Sequence, residues 1–99
     1  MKVSQTNEWR FGIAHSRMFC MIWNAEPHYA GIQRQKLAYA MALGKPIRLL
    51  LTPGNCLPED LCAGYADFQV ARIQRPREVA RQIQAWLAAL PPLAQAPHA

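Results

Sequence analysis

Asn24 and Glu26 follow directly on the apolar run Met18-Phe19-Cys20-Met21-Ile22-Trp23 and are the first choice for a polar site. If that run is a strand of an open α/β sheet, both residues lie just beyond its carboxyl end, where such sheets hold ligands. The plainer reading is a loop that turns and caps the next helix, as Asn often does. His15 and His28 are candidate acid–base groups, but neither has a partner visible in the sequence. Ser16 suits a helix-end hydroxyl bonded to backbone. No catalytic triad can be assembled from these residues.

Three tryptophans offer large anchoring surfaces. Trp9 and Trp86 fall on the apolar stripes of predicted helices and read as core or interface anchors, while Trp23, at the end of its run, suits a pocket or an interface. Arg72, Arg75, Arg77 and Arg81 are opposed locally only by Glu78, within a chain of formal charge +5. They form a candidate anion or phosphate patch. Without interleaved aromatics or a nucleic-acid motif, however, a solvated helix face is the default, and nucleic acid ranks below protein as a partner. Cys20, Cys56 and Cys62 show no C-x-x-C spacing and no set of four ligands, so neither a metal site nor a cofactor is expected.

The elements that must position these residues follow from periodicity. Ninety-nine residues, 52% hydrophobic and 17% charged, describe one globular domain, expected over residues 1–92 with a disordered tail at 93–99. A short helix is predicted from Thr6 to about Ala14, with Thr6 as N-cap, and a strand covered on both faces from Met18 to Trp23. Tyr29 to Leu43 reads as a helix with Tyr29, Ile32, Leu37, Ala40 and Met41 inward and Gln33, Arg34 and Gln35 outward, stopped by Gly44 and Pro46. A second buried strand spans Ile47 to Leu51. One or two helical turns between Cys56 and Ala66, a short strand from Asp67 to Ala71 and a helix from Pro76 to Leu90 complete the order.

This alternation predicts an α/β fold: a small three-layer Rossmann-like or flavodoxin-like domain with a short, mainly parallel sheet of three to four strands. The first strand should lie at an edge unless residues 1–5 or a second copy of the chain pairs with it, which makes homodimerisation a natural expectation. No apolar run reaches the roughly 20 residues of a membrane span and no signal-peptide pattern opens the chain, so a soluble cytoplasmic protein is expected.

Ile13-Ala14-His15-Ser16-Arg17, the strand ending at Trp23-Asn24, Lys36-Leu37-Ala38-Tyr39-Ala40 and the run Gly44-Lys45-Pro46-Ile47 resemble, in series, the second half of a Toll/interleukin receptor (TIR) domain. That fold is similar to the nucleoside deoxyribosyltransferases. The resemblance covers about residues 9 to 90 and implies a truncated domain without the family's first strand and first helix. It also implies a ligand-facing Ser16 and places Lys36 where enzymatic members carry a catalytic Glu. Cleavage of an N-glycosidic bond builds positive charge on the sugar and needs an anion beside it, so an ammonium at residue 36 would oppose the transition state. The resemblance therefore implies a non-catalytic interaction module acting through self-association or a partner protein. The alternative is a nucleotide or nucleoside binder, or a glycosidase-like or deoxyribosyltransferase-like enzyme, in which a dimer partner rebuilds the missing wall and Glu26 supplies the carboxylate.

Overall fold

The computed structural model describes residues 4–91. In chain order the elements are α1 (Ser4–Ala14), β1 (Phe19–Trp23), α2 (Pro27–Ala42), β2 (Ile47–Leu51), β3 (Phe68–Arg72) and α3 (Arg77–Ala89). The strands form one parallel sheet in the order β1-β2-β3, with Phe19 opposite Ile47 and Ile47 opposite Phe68. The chain is thus an α/β domain with an open, all-parallel sheet, compatible with a small Rossmann or flavodoxin-like domain. The tail expected at 93–99 lies outside the described residues. Among the described residues no helix is long and apolar enough to cross a membrane.

Side-chain alternation divides the sheet into two faces. On one, Phe19, Trp23, Ile47, Leu49 and Leu51 pack under Ile13 of α1, Leu37 and Ala40 of α2, and Leu61 and Cys62 of the β2–β3 connection. On the other, Met18, Leu50 and Ile73 pack under Trp86, with Val79 and Ile83 of α3 beside them. β2 is central and buried at every position, as a strand covered on both faces must be.

Schellman geometry ends α2: the Gly44 amide donates to the Met41 carbonyl and the Lys45 amide to the Ala40 carbonyl, both at 3.0 Å. Gly44 sits at φ +73°, a left-handed conformation costly for any residue with a Cβ. The Lys45 ammonium then donates to the carbonyls of Ala14 and Ser16, locking the end of α1 to the start of β2.

Four local expectations differ from the structure. α1 begins at Ser4, so Thr6 lies inside it rather than at its N-cap. β1 lies at a sheet edge as expected but is not covered on both faces, since Ile22 remains 47% exposed. α2 is rotated from its predicted stripe: Gln33 is buried with Leu37 and Ala40, while Tyr29 and Ile32 face outward. Finally, residues 58–65 form successive four-residue turns rather than a helix, in which the amides of Leu61, Ala63 and Tyr65 donate to the carbonyls of Pro58, Asp60 and Cys62. Left-handed backbone at Cys62 (φ 58°) and Gly64 (φ 79°) interrupts any helix there.

Within β2, Arg48 is only 5% exposed. Its Nη1 donates to the Ile47 carbonyl (3.0 Å) and, at 2.7 Å, to the carboxylate of Asp67 just before β3, while its Nε has no partner. A guanidinium this deep is tolerated only when paired.

Candidate functional site

The carboxyl end of β1 is built by reciprocal hydrogen bonds. The side-chain amide of Gln33 donates to the Asn24 carbonyl at 2.8 Å, and its oxygen accepts the Asn24 amide at 2.9 Å. The Asn24 side-chain oxygen accepts the Glu26 amide, an Asx turn that leads into Pro27 at the start of α2. Asn55, in the loop after β2, accepts the Ala25 amide and donates to the Thr52 hydroxyl, so the loops after β1 and β2 are tied together.

Beside this frame lies a hollow of about 300 Å³ lined by Trp23, Ala25, Ala30, Arg34, Cys56, Leu57 and Pro58. Trp23 is only 2% exposed, and its indole Nε1 is buried without a hydrogen-bond partner. Arg34 stands at the junction with a larger hollow of about 600 Å³, between α2 and residues 61–65, that extends toward the amino ends of the strands. In that larger space the Tyr65 hydroxyl is engaged, donating to the Lys45 carbonyl at 2.6 Å. Burial first, then the nearby Asp67 and Cys62, push the Tyr65 hydroxyl above its ordinary pKa. Burial likewise raises the Cys62 and Cys20 thiols, against the opposing charges of Arg34 and Arg48 respectively, whereas Cys56 is exposed.

The five ligand candidates are not brought to one place. Trp23 lines the 300 Å³ hollow, while Asn24 and Glu26 shape the loop beside it, Asn24 half-buried and Glu26 exposed. Ser16 lies before the amino end of β1, its hydroxyl donating to the Ile13 carbonyl at 2.9 Å. Lys36 is half-buried on the α1 side of α2, with its ammonium 6.0 Å from the centre of the Trp9 ring. His15 closes the end of α1 with Nδ1 3.0 Å from the Phe11 carbonyl oxygen, and exposed His28 meets Tyr29 edge-on.

Of the interface candidates, Trp9 is half-buried in an edge contact with Tyr39, and Trp86 is buried, its indole donating to Gln69 at 3.1 Å. The arginines divide. Arg72 and Arg81 share a hollow of about 320 Å³ with Glu78, Arg75 lines another of about 340 Å³ beside Ile22, and Arg77 lines neither. Glu78 accepts the backbone amides of Gln74 and Arg75, which, with the charges of Arg75 and Arg81, hold its carboxyl below the usual range. The positive end of α3 thus faces the chain's own carboxylate. Among the described residues no group of His, Cys, Asp and Glu could hold a metal ion.

Gln33 escaped the sequence reading, which put it on the solvated side of α2; Arg34, placed there too, is exposed as expected but was not singled out as a site residue. One signal pointed to Arg34: Ala30 and Ala38, four positions to either side, leave a recess along that flank, and each lines one of the two hollows. Compared with family models, with curated proteins and with solved structures, the chain matches none.

Proposed function

We propose that this chain is a non-catalytic TIR-like interaction module that associates with a second copy of itself through the free edge of β1. The observation that carries the reading is the composition of that edge. Phe19-Cys20-Met21-Ile22-Trp23 has no charge, no proline and no bulge, the devices by which proteins blunt an exposed strand. The opposite edge, β3, carries Gln69 and Arg72, so the two edges differ in their readiness to pair.

Geometry makes the edge self-complementary. The Phe19 amide donates to Pro46, next to β2, so by alternation the amides and carbonyls of Cys20 and Ile22 point away from the sheet. An antiparallel pairing about a twofold axis at Met21 would set Cys20 opposite the partner's Ile22, with reciprocal hydrogen bonds on each side of the axis. The exposed Ile22 side chain would then pack across the strands against the partner's Cys20. The non-catalytic part of the reading rests on the resemblance alone, which requires a carboxylate where this chain has Lys36; in the structure Lys36 lies beside Trp9 and lines neither hollow of α2. Amide exchange tests the geometry. Cys20 and Ile22 amides should be protected in concentrated samples and exchange rapidly on dilution, and concentration-independent exchange at both would refute the pairing.

A further inference from the structure

We propose that the free edge of β3 takes up an extended acidic segment of another protein as a fourth strand, its carboxylates held by Arg72 and Arg81. The first observation is the backbone. The Ile47 amide donates to the Asp67 carbonyl and the Ile73 amide to the Leu51 carbonyl, so by alternation the amides and carbonyls of Phe68, Val70 and Arg72 point away from β2. Val70 and Arg72 are exposed, and among the described residues no main-chain group pairs with theirs on that side. An open edge of this kind is where an extended peptide can add a strand.

The second observation is the charge beside that edge. Between the end of β3 and α3, the hollow of about 320 Å³ is lined by Arg72, Ile73, Glu78, Arg81 and Gln82. Elsewhere Arg17, Arg34, Lys45 and Arg48 each donate to a carbonyl or pair with an acid. Among the described residues the guanidiniums of Arg72 and Arg81 make no hydrogen bond and no ion pair within 4 Å. The charge of Arg81 acts on Glu78, but that carboxylate bonds instead to the backbone amides of Gln74 and Arg75. Two unspent guanidiniums therefore stand next to unpaired strand backbone.

Together these observations select the partner. An extended polypeptide supplies both donors and acceptors to the outward amides and carbonyls, whereas a chain of phosphates supplies acceptors only and leaves the carbonyls of Val70 and Arg72 to water. The edge strand β1 of a second copy has the backbone but no charge to set against the arginines. An acidic strand meets both demands, and the arginines also steer its approach. Asp67, just before β3, is committed to Arg48, so the attraction lies at the carboxyl end of the edge. No covalent step is involved; the edge binds and releases.

The test follows the backbone amide signals of the ¹⁵N-labelled chain by NMR during titration with a short peptide of alternating Glu and Val, blocked at both ends. The same peptide with Gln for Glu lacks the charge, and its fully N-methylated form keeps the charge but lacks the backbone donors, so they serve as controls. The Val70 and Arg72 signals should move saturably and their amides become protected from exchange, while the Ile22 signal on the other edge stays in place. Replacing both exposed arginines, Arg72→Gln with Arg81→Gln, should weaken binding by about tenfold, a few-fold for each exposed charge contact. Both control peptides should bind more weakly than the acidic one. Stationary Val70 and Arg72 signals at roughly 1 mM peptide would overturn the proposal. So would equal binding by the N-methylated peptide, the mark of a general polyanion patch, or equal binding by the doubly substituted chain.

Discussion

Replacing Asp67 by Ala tests the electrostatic argument at the centre of the sheet. The Arg48 side chain is 6% exposed and Asp67 is 51% exposed, with 2.7 Å between them. Removing one member of a fully buried pair costs about 3–5 kcal/mol, because the remaining charge is stranded. Here the carboxylate is half in water, which screens the pair, and the guanidinium keeps its bond to the Ile47 carbonyl, so about 2 kcal/mol is the expected loss. With a urea slope near 1–1.5 kcal/mol/M for a chain of this size, the midpoint should fall by about 1.5 M at unchanged slope. Arg48→Met removes the buried charge itself and should stay within about 1 kcal/mol of the parent, and adding it to Asp67→Ala should recover most of the loss. Urea titrations by circular dichroism measure all four chains. An unchanged midpoint in Asp67→Ala, or an equal fall in Arg48→Met, would refute the reasoning.

Gln33→Leu leaves the amide and carbonyl of Asn24 without partners and should cost about 2 kcal/mol at roughly 1 per lost hydrogen bond, with faster exchange of the Asn24 amide as its local signature. The pH dependence at Glu78 has a definite sign. Its folded pKa lies below the ordinary carboxylate value, so its contribution is present above that value and is lost as pH falls through the lowered one. Glu78→Gln should therefore flatten the acid limb of the stability curve, and an unaltered limb would contradict the assignment.

Period and punctuation made the layers legible. The buried run Ile47–Leu51 matched β2 to the residue and the Gly44-Lys45-Pro46 stop placed the end of α2 within one residue, because both are local signals. What remained illegible depended on tertiary choices. The rotation of α2 is an example: Gln33 is buried because the end of β1 needs a donor and an acceptor for Asn24, a demand visible only once strand and helix are juxtaposed. Arg48 reads as one interruption in an apolar strand until Asp67 arrives beside it through the β2–β3 pairing. The hollow over Trp23 arises between α2 and residues 56–58, segments whose contact no spacing encodes. The predicted turns of helix at 56–66 failed because a proline and two acids describe a helix start but cannot foresee left-handed backbone at Cys62.

Light scattering on the eluting chain, with Ile22→Pro as the matched control, addresses self-association most directly. Proline at residue 22 removes an amide that points off the sheet and leaves the β1–β2 ladder intact, as edge strands allow. The parent should elute at twice its 11.2 kDa mass and the variant, equally folded, at 11.2 kDa. A parent that remains monomeric at high concentration, or a variant that stays dimeric, would contradict association through β1.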